Sequence, residues 1–105
     1  MQKIGKYVSI EDSKAVVAVK GGFILDVTDQ VRDELEEAYR RGCTAVQFDM
    51  NNTDYTDSTV NKIIIRTLRR VGERMLEISN PKRNVYAALE ARDLTKFIVN
   101  GGKQA

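Results

Sequence analysis

At 105 residues, with 42% hydrophobic and 30% charged side chains and a formal charge of +2, the chain suits one globular domain. That balance excludes a disordered chain and does not by itself demand a polyanionic partner. Histidine is absent, which removes the commonest general base and neutral metal ligand, and the single Cys43 excludes both an internal disulfide framework and a multi-cysteine zinc site.

The opening stretch MQKIGKYVSIEDSKA lacks the apolar core of a signal peptide, and no run of ~18 apolar residues could span a membrane, so a cytoplasmic protein is expected. YVSI and AVVAVKG read as two short strands joined by the polar EDSK, a hairpin, with Gly21 and Gly22 ending the second strand. FILDVTDQ leads into a helix whose apolar residues Val31, Leu35, Ala38 and Tyr39 keep helical spacing. Thr28 or Asp26 is the expected cap. Acidic Asp29, Asp33 and Glu34 sit early and Arg40 and Arg41 late, as the helix dipole favours, and Gly42 supplies the stop. TAVQFDM follows as a buried strand after a very short connection, so strand, helix and strand predict a right-handed βαβ crossover.

From Ser58, the residues Val60, Ile63, Ile64, Thr67, Leu68 and Val71 form an almost unbroken stripe that ends near Gly72, a second helix. RMLEIS resembles another strand. Asn80-Pro81 marks a break with Pro81 suited to the first turn of a third helix, on which Val85, Tyr86, Ala88 and Leu89 face the core. TKFIV adds a last short strand, and NGGKQA reads as a flexible tail over 100–105. The expected architecture is α/β: one domain with its core at about 6–99, and a mixed, mostly parallel sheet of four to five strands covered mainly by three or more helices.

Ligands of such sheets gather beyond the carboxyl ends of the parallel strands, where FDMNNTDYTDST lies. A calcium loop fits its first positions, Asp49, Asn51 and Thr53, but Asp54 stands where the glycine should be and Val60 where the bidentate glutamate should be. A phosphoryl-accepting Asp49, as in response-regulator receivers, lacks the acidic pair after the first strand that would hold magnesium. Gly21-Gly22 and Gly101-Gly102 lack the Lys-Ser/Thr of a phosphate-binding loop. No metal, cofactor or intrinsic catalysis is expected, and Asp57 or Ser58 serves at the least as a helix cap.

The order of elements and the placing of YTDST resemble the STAS domain of bacterial anti-sigma factor antagonists, over roughly Tyr7 to Val99. Gly21 stands ten residues before Val31, as the family's strand-ending glycine stands before its first helical apolar residue. VQFDMNNTDYTDST looks like the strand, Asp, loop, aromatic and Asp-Ser-Ser/Thr of that family, while EISNP resembles its later strand and x-Ser-Pro, and ARDLTKFI its closing segment. The likeness implies that Ser58, with Thr59 as the neighbouring hydroxyl, is phosphorylated. It further implies that Asp57, Ser58, Thr59, Lys62, Arg66, Ile24 and Asp26 meet an anti-sigma factor that is a serine kinase of the GHKL type, with a serine phosphatase as the opposing enzyme. Homodimers or larger self-assemblies are compatible with it; nucleic acid and membrane partners are not expected. Two positions depart from the pattern: Val60 replaces a common glycine, and Ile24 a common acid. An Asp-Ser-x-Val opening is similar to stressosome scaffold proteins, and a transporter-associated relative is the further alternative. Lys62, Arg66, Arg69, Arg70 and Arg74 give the second helix a basic outer side, read as a solvated or protein-docking face rather than a nucleic-acid patch.

Overall fold

The protein is described by a computed structural model over residues 1–99, so the tail expected at 100–105 lies outside the described residues. The hairpin forms as its pattern requires: β2 (Val8–Glu11) and β3 (Lys14–Ala18) pair antiparallel around a turn at Asp12-Ser13, and a short β1 (Gln2–Lys3) adds to the outer edge of β2. The chain then runs through β4 (Gly21–Phe23) into α1 (Leu25–Arg40) and returns in β5 (Ala45–Asp49). β6 (Thr53–Thr56) precedes α2 (Ser58–Val71); β7 (Leu76–Ser79), α3 (Arg83–Glu90) and β8 (Ile98–Val99) complete the fold. Six strands form one sheet in the order β1-β2-β3-β5-β7-β8, antiparallel over its first three and parallel from β3 onward. The sheet is larger than expected because the amino-terminal edge strand lay outside the hydrophobic pattern.

Register explains the core. Val8, Val17, Phe48 and Ile78 are successive cross-strand partners, as are Ala15, Val46 and Leu76, and all of these are buried. α1 covers β2 and β3, and α2 covers β5 and β7. The alternate residues, among them Val16, Gln47 and Glu77, stay half-buried on the opposite face, where Lys14 lies 3.8 Å from Glu77 and Gln47 donates to Ser79 at 2.9 Å. α1 and α2 therefore cover one face of the sheet, and the strands keep the period-2 alternation of a half-solvated sheet. Burial of large side chains such as Phe48, Ile64 and Ile78 contributes roughly 1.5–3 kcal/mol each.

Three local expectations change. Gly21 and Gly22 do not end β3; they open β4, which pairs in parallel with β6 as a separate two-stranded sheet. Pro81 precedes α3 instead of entering its first turn, since Lys82 is the N-cap. Neither Thr28 nor Asp26 caps α1: its N-cap is Ile24, whose side chain offers no acceptor. Among the described residues, no helix is long and apolar enough to cross a membrane.

A second polar device anchors the amino-terminal segment. Glu34, only 6% exposed on the inner side of α1, accepts the backbone N–H groups of Lys6 (3.0 Å), Tyr7 (2.8 Å) and Val8 (2.8 Å) and the Gln30 amide (2.7 Å). Burial pushes its carboxyl up, but these four donors outweigh it and hold the group below the usual range. Gly5 is needed for this approach, because a Cβ there would stand 2.5 Å from the Glu34 Cδ.

Candidate functional site

The small sheet of β4 and β6 builds the site. Gly21 takes a left-handed conformation, φ +86°, at a register shift in the ladder, and its N–H donates to the Asn52 carbonyl at 2.9 Å. A glycine suits that backbone because an L side chain would be strained in it. The ladder places Phe23 opposite Thr56, and the Asp57 N–H reaches the Phe23 carbonyl at 3.3 Å. Thr53 is fully buried and ties the ladder to the main sheet by donating to the Val19 carbonyl at 2.7 Å. The helices that follow the two strands, α1 and α2, therefore begin side by side.

Asp57 joins those two helix starts. One carboxylate oxygen accepts the Thr59 N–H at 2.9 Å and the Thr59 hydroxyl, capping α2; the other accepts the Leu25 N–H at 3.0 Å, serving the uncapped start of α1. The Thr59 hydroxyl, against some desolvation and helped by the backbone N–H groups, holds this carboxyl below its ordinary range, so it is ionised at neutral pH. The Thr28 Oγ1 lies 2.8 Å from the Thr59 Oγ1 and 3.0 Å from the Ile24 carbonyl, a chain of hydroxyls lying under both caps. With its proton given to Asp57, Thr59 is fastened inward.

Ser58 is different. It is the first residue of α2 and is exposed, whereas Thr59 is half-buried in the hydroxyl chain and Val60 is fully buried beneath it. The two strand-to-helix junctions that meet at Asp57 carry three large exposed apolar side chains: Ile24 at 37%, Leu25 at 52% and Tyr55 at 55% exposure. The Tyr55 ring lies over Gly22, where a Cβ would come within 2.6 Å of its Cζ and hydroxyl. Asp26 is exposed in the first turn of α1, and Lys62 and Arg66 are exposed along α2. The structure thus brings together Ile24, Asp57, Ser58 and Thr59, with Asp26, Lys62 and Arg66 on the adjoining helix turns. Leu25 was missed from the sequence, while Thr28 was read only as a cap and Tyr55 only as the aromatic of the motif; an aromatic facing a glycine across a two-stranded ladder leaves no local signal.

Two other acids of the junction lie apart from it. Asp54 pairs with Lys82 at the start of α3, and its carbonyl accepts the Asn84 amide at 2.7 Å. Its charge is offset there by the lysine. Asp49 ends β5 as expected and accepts the Asn51 N–H at 3.1 Å, a local turn beside a cleft of about 80 Å³ that Lys20 and Asn52 also line. Among the described residues no three His, Cys, Asp or Glu side chains gather as a metal site would require.

No family model matches the sequence, and no curated protein is significantly similar to it. Solved structures are similar in fold. The anti-sigma factor antagonist SpoIIAA in its unphosphorylated form shares 14% identity at a TM-score of 0.80, covering 92% of this chain and 88% of the other. The Bacillus cell fate determinant SpoIIAA in its phosphorylated form gives 12% identity and a TM-score of 0.73, with 92% and 91% covered. A sulfate transporter family protein from Wolinella succinogenes gives 14% identity and 0.67, with 85% and 78% covered. The fold is that of the anti-sigma factor antagonists, the STAS fold expected from the sequence.

Proposed function

We propose that this chain is a non-catalytic regulatory module of the cytoplasm: an anti-sigma factor antagonist that binds an anti-sigma factor kinase of the GHKL type and is released when Ser58 is phosphorylated. The observation that carries the reading is the position of Ser58. It is an exposed hydroxyl at the first turn of α2, next to the Asp57 cap that joins this helix start to that of α1, on a junction that also exposes Ile24, Leu25 and Tyr55. Such a surface is apolar enough to be covered by a partner.

A phosphate on Ser58 would carry about −1.5 to −2 charges at neutral pH. Two helix N-termini converge there, so α2 tolerates the group electrostatically and does not melt. The effect falls on the partner, which would have to desolvate a dianion against the surface that buries Leu25 and Tyr55. Thr59 is disfavoured as acceptor, since its modification would break the bonds to Asp57 and Thr28. A serine phosphatase would reverse the step.

The reading is tested by incubating the protein with the GHKL-type kinase of its own cell and ATP. Acid-stable phosphate on Ser58, and loss of the kinase complex by Ser58→Asp on size-exclusion chromatography, are the expected results. Full affinity in Ser58→Asp, or a hydroxylamine-labile phosphate on Asp49, sinks the proposal. A self-assembling stressosome-type scaffold is the second reading, favoured by Val60, which is fully buried where the antagonists commonly have glycine. Large assemblies of the protein alone on the same column would select it. An accessory role beside a transporter rests on the Wolinella likeness alone.

A further inference from the structure

α1 and α2 run alongside one another from the Asp57 junction. Thr28 meets Thr59 near their starts, and Glu36 lies 3.5 Å from Arg70 near their ends. Between them lies a cleft of two adjoining hollows, about 360 Å³ nearer Ser58 and about 220 Å³ beyond, with Arg32, Ile63 and Arg66 lining both. Its apolar lining is Leu25 at the open end and the buried Leu35 and Ile63 beneath.

The rim is cationic and only partly neutralised. Arg70 pairs with Glu36 and stacks 4.1 Å over the Tyr39 ring, and Arg32 stands 3.6 Å from Asp29. Lys62, Arg66 and Arg69 have no ion-pair partner among the described residues. They sit at i, i+4 and i+7 of α2, a row of roughly 10 Å at 1.5 Å per residue. A row that long is poorly matched to one compact anion, which would reach only one or two of its members. Nucleic acid is disfavoured too, because Asp29 and Glu36 also line the cleft and its one aromatic ring is covered by Arg70.

We infer that the cleft between α1 and α2 seats an acidic amphipathic helix of a protein partner, its apolar stripe on Leu25 and Ile63 and its carboxylates on Lys62, Arg66 and Arg69. Carboxylates at i, i+4 and i+7 of such a helix reproduce the spacing of the cations, and apolar residues beside them reach the floor. The inference deepens the function proposed above and rests on it for the partner's place: the cleft opens at Leu25 and Thr59, directly beside Ser58, so one partner covers both. Lys62 is four residues from Ser58 on the same helix, so a phosphate there competes with the partner's first carboxylate for that cation.

The test uses the whole protein and a fluorescent amphipathic peptide as long as α2, with leucine on one stripe and glutamate beside it. Its lysine counterpart, ATP and a short oligothymidylate serve as competitors. The glutamate peptide is expected to bind, to shift the amide resonances of Leu25, Ile63 and Arg66, and to weaken steeply between low and physiological salt. Arg66→Glu should weaken it by about tenfold or more, and Arg69→Ala by less, both variants keeping the parent's thermal midpoint. No binding by the glutamate peptide, equal binding of the lysine peptide, displacement by ATP or oligothymidylate at least as tightly, or indifference to Arg66→Glu overturns the inference. Ser58 is untouched and no kinase is present. A failure here, with Ser58→Asp still releasing the kinase, leaves the switch standing without the cleft.

Discussion

Replacing Asp57 with alanine should loosen two helices at once. The change removes the acceptor of the Thr59 N–H at 2.9 Å and of the Leu25 N–H at 3.0 Å, and α1 has no other side-chain cap. Loss of an N-cap costs about 1 kcal/mol, so two caps amount to about 2 kcal/mol, out of a total stability of roughly 5–15 kcal/mol for a domain. At about 4–8 °C per kcal/mol for a domain of this size, the thermal midpoint should fall by about 8–16 °C. Asp57→Asn keeps one carbonyl oxygen but turns an amide toward one donor, and should cost about half as much. Urea and thermal unfolding followed by circular dichroism give the size. Native-state hydrogen exchange gives the location, with amides faster at both Leu25 and Thr59. The carboxyl's lowered pKa adds a sign: the unfolded chain takes up its proton first, so the stabilisation is whole above the unfolded value of ~3.9 and is lost as pH falls through the folded one. The gap between parent and Asp57→Asn should therefore close in acid. A loss under about 0.5 kcal/mol for the alanine variant, or faster exchange at Thr59 alone, would refute the double cap.

Glu34→Gln should destabilise by about 1–3 kcal/mol, because its new amide faces the Lys6 and Gln30 donors, and the deficit should shrink as pH drops below ~4.3; urea midpoints measured across acidic pH would show this. Gly5→Ala should approach the same cost by pushing the carboxylate off its donors, read as weakened exchange protection of the Tyr7 and Val8 amides. The neighbouring glycines of β4 should separate by cause in thermal melts. Gly21→Ala, at φ +86° with open space around it, should lose about 1–2 kcal/mol to backbone strain. Gly22→Ala should lose less than about 1 kcal/mol, since the exposed Tyr55 ring can swing aside, and its effect should appear instead as weakened partner binding.

The hairpin, α1, β5, α2 and β7 were legible because each carries its own period. Val31, Leu35 and Ala38 repeat as a helix, while Val17, Phe48 and Ile78 alternate as strands, and these periods follow from the backbone alone. The Asp-Ser at the start of α2 was legible for the same reason, since a helix start has local chemistry. The rest depended on distance in the chain. β4 and β6 are too short to announce themselves and become strands only by finding each other across about thirty residues. Asp57 could be read as a cap for its own helix but not for Leu25, 32 residues away, and Glu34 reads as a surface acid of α1 until the backbone of Lys6, Tyr7 and Val8 folds over it. Sequence alone determined the longer helices and strands, which carry their own period, and that a hydroxyl opens α2. The tertiary structure decided which of Ser58 and Thr59 faces outward and set Lys62, Arg66 and Arg69 over an apolar cleft, because hydrogen bonds and charges between distant segments have no period to betray them.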